Sequence, residues 1–182
     1  MDEFEQTRRS FLMSAGSLGI GRISADGVAG QIAAQGSVLD ATGGEHLIHF
    51  RDRGNIYIKF GAATGSDNLA VGTQQVMVGT GIPVHRHFKM DEAFHVLEGS
   101  GRVILNDVPH TFDQGSTIFI PKQSWHGFEN PDHELLLLWM VTPAGLESFF
   151  RDTCSPPGVP PKPLTREQIR EIARSRYDTE FR

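Results

Sequence analysis

Four side chains in this sequence have the types and the spacing of a metal centre. His85-Arg86-His87 places two imidazoles two residues apart. In an extended strand successive side chains alternate between faces, so both rings project to the same side. Glu92 follows five residues after His87, at the start of what reads as the next strand. A short turn through Lys89, Met90 and Asp91 lets that strand return beside the first. The fourth group, His126, comes from far along the chain, again at the start of a strand. Three neutral imidazoles and one carboxylate suit a divalent Fe, Mn, Ni, Co, Cu or Zn ion. On an octahedral ion they leave two positions open, and open positions are what a catalytic site needs.

The elements that must position these groups read as short strands. Residues 55–60 alternate, with Ile56, Ile58 and Phe60 on one face. Residues 74–78 repeat the pattern and end at Gly79-Thr80-Gly81. Residues 84–88 carry the two histidines, and 93–98 run from Glu92 to Gly99-Ser100-Gly101. Residues 102–105 enter a turn at Asn106-Asp107, and the chain returns through His110 and Phe112. Residues 117–120, 125–128 and 135–141 complete the set. Regular short strands with turn residues between them, in a chain with 20 Gly and 10 Pro, predict an all-β sandwich or barrel. Two helices follow. Residues 144–152 put Leu146, Phe149 and Phe150 on one face. After a Pro-rich connector over 156–163, Thr165 and Gln168 form a capping box ahead of the stripe Ile169, Ile172, Ala173 and Tyr177. Arg166, Arg170 and Arg174, with Glu167 and Glu171 beside them, read as a solvated face.

The spacings also resemble a known family. Gly79, His85, His87, Glu92 and Gly99 match the first cupin motif in register. Gly115, Pro121, His126 and Asn130 match the second, and Gln123 stands where that motif usually has Gly. The resemblance implies a double-stranded β-helix, or jelly-roll, barrel. It spans 79–130 by motif and about 55–142 with the flanking strands. In oxygenase members the ion takes substrate and O₂ at adjacent open positions, and the ligating carboxylate takes a proton from a substrate hydroxyl. Glu92 is the catalytic residue this implies. Inward positions beside the ligands give an expected pocket of Phe94, Val96 and Phe128, then Met77, Phe60 and Met140. An apolar, aromatic-lined pocket favours a flat organic substrate. The expected function is therefore a metal-dependent dioxygenase of a small aromatic or enolisable compound, with a distant likeness to quercetin dioxygenase-type monocupins. The alternatives are a non-oxidative isomerase, cyclase or lyase using the ion as a Lewis acid, and a non-catalytic small-molecule-binding barrel.

The remaining features bound the setting. A net charge of −5 and a pI near 5.9 give no sign of a nucleic-acid or membrane surface. Cys154 is the single cysteine, which excludes an internal disulfide and a multi-thiolate site. It reads as an inert thiol. Residues 7–13, Thr-Arg-Arg-Ser-Phe-Leu-Met, resemble a twin-arginine export motif, with a small-residue cleavage region at Ile32-Ala33-Ala34. This divides the chain into an export signal or arm at 1–34, a barrel with flanking strands and a short helix at 35–153, and a connector and helix at 154–182. It also predicts a periplasmic or secreted protein, with a cytoplasmic one as the alternative. The cupin resemblance further implies a homodimer, with strands within 36–60 serving the pairing. His46, His49, His95, His110 and His133 read as surface or edge residues.

Overall fold

The computed structural model describes residues 36–182. The export motif and its cleavage region lie outside the described residues. Among the described residues, eleven strands form two antiparallel sheets. The first sheet comprises β1 (Glu45–Ile48), β2 (Asn55–Phe60), β3 (Ala70–Val76), β5 (Asp91–Glu98), β8 (Thr117–Ile120) and β10 (Leu135–Thr142). Their order is β1-β2-β3-β10-β5-β8. The second comprises β4 (Ile82–His87), β6 (Gly101–Leu105), β7 (Val108–Phe112), β9 (His126–Glu129) and β11 (Thr179–Phe181), ordered β11-β4-β9-β6-β7. This is the jelly-roll barrel. Helices α1 (Leu146–Thr153) and α2 (Arg166–Tyr177) follow the last long strand.

The strands form where period-two hydrophobicity supplies an inner face. In β10, Leu135, Leu137, Trp139 and Val141 are buried, and in β5 Glu92, Phe94 and Val96 face the same interior. β10 lies between β3 and β5, so Trp139 sits opposite both Gly72 and Phe94. A side chain at Gly72 would collide with the Trp139 indole, and its absence lets the ring lie across β3. The turn before β4 is tied down by Asn130. Its amide donates to the carbonyls of Val76, Met77 and His133, and its oxygen accepts from Gly81 N–H. The motif asparagine thus holds the loop that launches the histidine strand.

Both helices appear as expected, with Leu146, Phe149, Phe150, Ile169 and Ala173 buried. The Thr165–Gln168 capping box makes both of its hydrogen bonds. Glu171 pairs with Arg174 at 2.9 Å, whereas Arg170 turns instead to the carbonyl of Arg182. The stretch 36–60 builds β1 and β2 of the chain's own sheet. The terminal tail departs from the expected connector and helix. After Asp178 adopts a left-handed backbone conformation, β11 runs antiparallel to β4. Three residues are too few for alternation to announce a strand. Its place is secured from outside by Arg86, which pairs with Glu180 and stacks on Trp125, and by Arg182 on the same indole.

Candidate metal centre

His85 and His87 project inward from β4, Glu92 from β5 and His126 from β9. All four are buried, and one donor atom from each lies within 4.8 Å of the others. Pairing places His85 directly opposite His126, while the turn after β4 brings β5 back across from the other sheet. Gln123 supports this arrangement from the loop ahead of β9. Its φ is 69°, in the left-handed region that glycine fills without strain, and its N–H donates to the carbonyl of His87. The family mismatch is thus a non-glycine residue in the same turn.

The ring orientations fit an ion. His85 Nδ1 faces the Pro83 carbonyl at 2.8 Å, His126 Nδ1 the Ser124 carbonyl at 3.0 Å, and His87 Nδ1 the Thr179 hydroxyl at 2.8 Å. Carbonyls only accept, so they place the proton of His85 and His126 on Nδ1 and leave Nε2 with a lone pair. Thr179 Oγ1 donates to the Tyr177 carbonyl at 3.0 Å and so offers His87 a lone pair in turn. His87 Nε2, His126 Nε2 and Glu92 Oε2 are buried without hydrogen-bond partners among the described residues. Buried polar atoms in that state are costly unless something satisfies them. Glu92 Oε2 lies 3.0 Å from His126 Nε2 and 3.4 Å from His87 Nε2. Donor atoms about 2.1 Å from one ion and at right angles to each other are about 3.0 Å apart. Burial pushes the Glu92 carboxyl up, but the imidazoles of His126 and His87 more than reverse this, holding it well below the usual range. Burial, then the neighbouring rings of His126 and His87, push His85 well below its ordinary value. A carboxylate and a neutral ring are the forms that bind metal.

The centre opens on a cavity of about 640 Å³. Phe94 lines it as expected from sequence. The other five positions lie elsewhere. Val96 is fully buried two residues deeper in the core. Phe128 packs edge-on behind Phe94, with centroids 4.9 Å apart. Met140 is half-buried on the outer face of β10, opposite to Trp139, and Met77 lies beyond the end of β3. Phe60 follows a register shift in β2 that takes it out of step with Ile56 and Ile58. The wall is completed instead by groups that sequence patterning missed: Trp139 and Gln74 from the first sheet, Phe149 and Phe150 from α1, and Thr179 and Phe181 from β11. Phe181 stacks on His85 with centroids 5.2 Å apart.

Of the other histidines, His110 and His133 are exposed, and His95 turns from Glu92 to the Thr117 hydroxyl at 2.9 Å. His49 is a correction: it is buried and lines the cavity. The loop after β1 folds inward because the Asp52 carboxylate, itself fully buried, collects the N–H of Gly54, the Thr80 hydroxyl and the Arg51 guanidinium. His49 Nδ1 accepts from Arg51 N–H at 3.0 Å, so its 3.6 Å approach to Asp52 is not an ion pair. Burial, then the Arg51 charge, lowers its pKa to about 3. Cys154 is buried, and burial pushes its thiol up, consistent with an inert role.

Comparison with known proteins agrees with this architecture. The cupin domain family matches residues 72–142. An uncharacterised protein of Methanocaldococcus jannaschii is 34% identical over 69 residues, 35% of this chain and 55% of that protein. The chain therefore spans about half the length of the curated relative it matches. An RmlC-like cupin from Shewanella frigidimarina superposes with a TM-score of 0.53 at 18% identity, covering 63% of this chain and 98% of that one. A predicted oxalate decarboxylase from Thermotoga maritima gives 0.51 at 17%, covering 59% and 99%. At those identities the likeness speaks to the fold. Together with the motif register, the family match identifies residues 72–142 as a cupin domain, set in a two-sheet barrel of cupin fold.

Proposed function

We propose that the chain is a metal-dependent dioxygenase acting on a small aromatic or enolisable compound. The observation that carries this reading is a three-histidine, one-glutamate cluster opening onto a cavity of about 640 Å³ faced by aromatic rings. That volume suits a ligand of two or three rings, and the walls suit a flat one. His85, His87, Glu92 and His126 would hold one divalent ion. When bound, the ion supplies positions where an enol or catechol oxygen and O₂ meet, and it lowers the cost of charge on the substrate oxygen.

The chain's own groups prepare that encounter. Thr179, Pro83 and Ser124 fix the three imidazole tautomers through Nδ1. Glu92, ionised and facing the cavity, accepts the hydroxyl proton as the substrate seats. Phe94, Trp139 and Phe181 hold the substrate plane and exclude water from the reacting carbon. Oxygen uptake by the iron, manganese, cobalt, nickel and copper forms, against flavonols, catechols and 1,3-diketones, tests the reading. Stoichiometric uptake with incorporation of both oxygen atoms supports it. Turnover that persists without O₂ and with zinc replaces it by Lewis-acid chemistry, and no uptake with any metal sinks it.

A further inference from the structure

The cavity has a second polar pole, away from the ligands. Strand register places it. Glu92 is level with Val141 and, across β10, with Ala70, whereas Gln74 lies four residues further along β3 and two strands over. At about 3.4 Å per residue, Gln74 is roughly 14 Å from the Glu92 level along the strands. Phe94 faces the space between, and Trp139, level with Gly72, stands on the Gln74 side of the Glu92 level. The β1–β2 loop brings His49 and Arg51 to the cavity as well, because Ile56 pairs with Gln74 and Asn55 with Ile48 beside that loop.

The polar groups of this pole are rich in donors. Trp139 is fully buried, and its Nε1–H has no acceptor among the described residues. Arg51 Nε is buried in the same condition, while its Nη2 engages Asp52 at 2.8 Å. His49 Nδ1 is an acceptor, so the neutral ring carries its proton on Nε2, which has no partner among the described residues. Gln74 is buried, and its side-chain amide makes no hydrogen bond among the described residues. The buried Nε1–H of Trp139 and Nε–H of Arg51 are expensive unless a ligand supplies acceptors, and the His49 ring and Gln74 amide line the cavity beside them.

Charge points the same way. Besides Arg51, whose charge Asp52 balances, the lining includes Lys162, Arg166 and Arg170 against a single acid, Glu92, which belongs to the metal centre. Lys162 and Arg170 donate to backbone carbonyls, and neither they nor Arg166 form an ion pair among the described residues. On a chain of net charge −5, this local excess of positive charge steers anions to one opening.

We propose that the substrate is an organic acid, bound with its carboxylate at the Arg51–Gln74–Trp139 pole and its enol or catechol oxygens at the metal pole. This rests on the metal-site reading for its second half only. Calorimetric titration of the full chain, zinc-loaded and metal-free, tests it without turnover. The probes are 3,4-dihydroxybenzoate, 3,4-dihydroxyphenylacetate and 3,4-dihydroxycinnamate, each against its methyl ester. At least one acid is expected to bind about tenfold or more tighter than its ester, the scale of a lost charge-assisted hydrogen bond. That preference should fall several-fold in Gln74→Leu or in the paired variant Arg51→Gln with Asp52→Asn, which leaves no buried charge unmatched. Trp139→Phe, which deletes the indole N–H, decides the matter if the paired variant does not melt cooperatively. Equal binding of every acid and its ester, or a preference unchanged in all folded variants, overturns the proposal. An acid preference retained in protein that binds no zinc would leave this pole standing and refute the metal centre.

Discussion

His49 shows how far one residue's surroundings can depart from its place in the sequence. It lies in a polar loop between two short strands, yet it is buried against Phe50 and Phe150 with its Nδ1 occupied by Arg51 N–H. Protonation would bury a charge, and would do so beside the Arg51 cation, which is why the folded-state pKa falls from 6.5 to about 3. The unfolded chain takes up this proton near the ordinary value. Between those limits the unfolded state therefore binds more protons, and stability declines as pH falls. The contribution is fully present above pH 6.5 and is lost on the way to about pH 3. At about 1.36 kcal/mol per unit, the loss is of the order of a few kcal/mol. Urea melts at pH 7, 5.5 and 4 should show a steeper decline for the wild type than for His49→Asn, which keeps an acceptor for Arg51 N–H. Parallel declines would contradict this account. No pattern in the sequence announces the burial of His49, because it depends on Asp52 collecting donors from its own loop and from the distant Thr80 turn.

At the scale of elements, most of the scaffold was legible. The strands carrying Glu92 and Leu135 show two-residue alternation, and Asn106-Asp107 turns with both residues at positive φ. Helix α2 starts at its capping box. Strand β11 was not legible. Thr179 and Phe181 alternate with Glu180, but three residues are shorter than any dependable period, and the strand exists because β4 offers an edge and Arg86 a partner. That strand nevertheless completes the site, since Thr179 orients His87 and Phe181 stacks on His85. Thr179→Val keeps the shape and removes the acceptor for His87 Nδ1–H. Metal affinity, measured by competition with a chelator, should weaken about 10- to 100-fold, as when other hydrogen-bond partners of ligating histidines are removed. Thr179→Ser should restore most of it. Unchanged affinity in Thr179→Val would mean that the strand only covers the ring.

Over the whole molecule, the family spacing placed the four donors correctly because motif and barrel are linked: the turns that the glycines and Asn130 permit are the turns that aim the ligands. The cavity was harder to read, since its walls come from the loop after β1, from both helices and from β11 as well as from the barrel. Alternation along a strand reports an inward face but not the depth at which the interior stops being packed. Phe94 therefore lines open space while Val96, on the same face, is solid core. Helices α1 and α2 and the Pro-rich connector between them make a barrel with a cover, and that cover supplies Lys162, Arg166 and Arg170 to the opening. Everything proposed about chemistry rests on the buried cluster holding an ion. Elemental analysis of the purified wild type and of His126→Ala, with melting curves to establish that both fold, tests this most directly. The account predicts about one divalent transition metal per wild-type chain and its loss in the variant; a folded wild type that takes up no metal, or a variant that retains it fully, would contradict it.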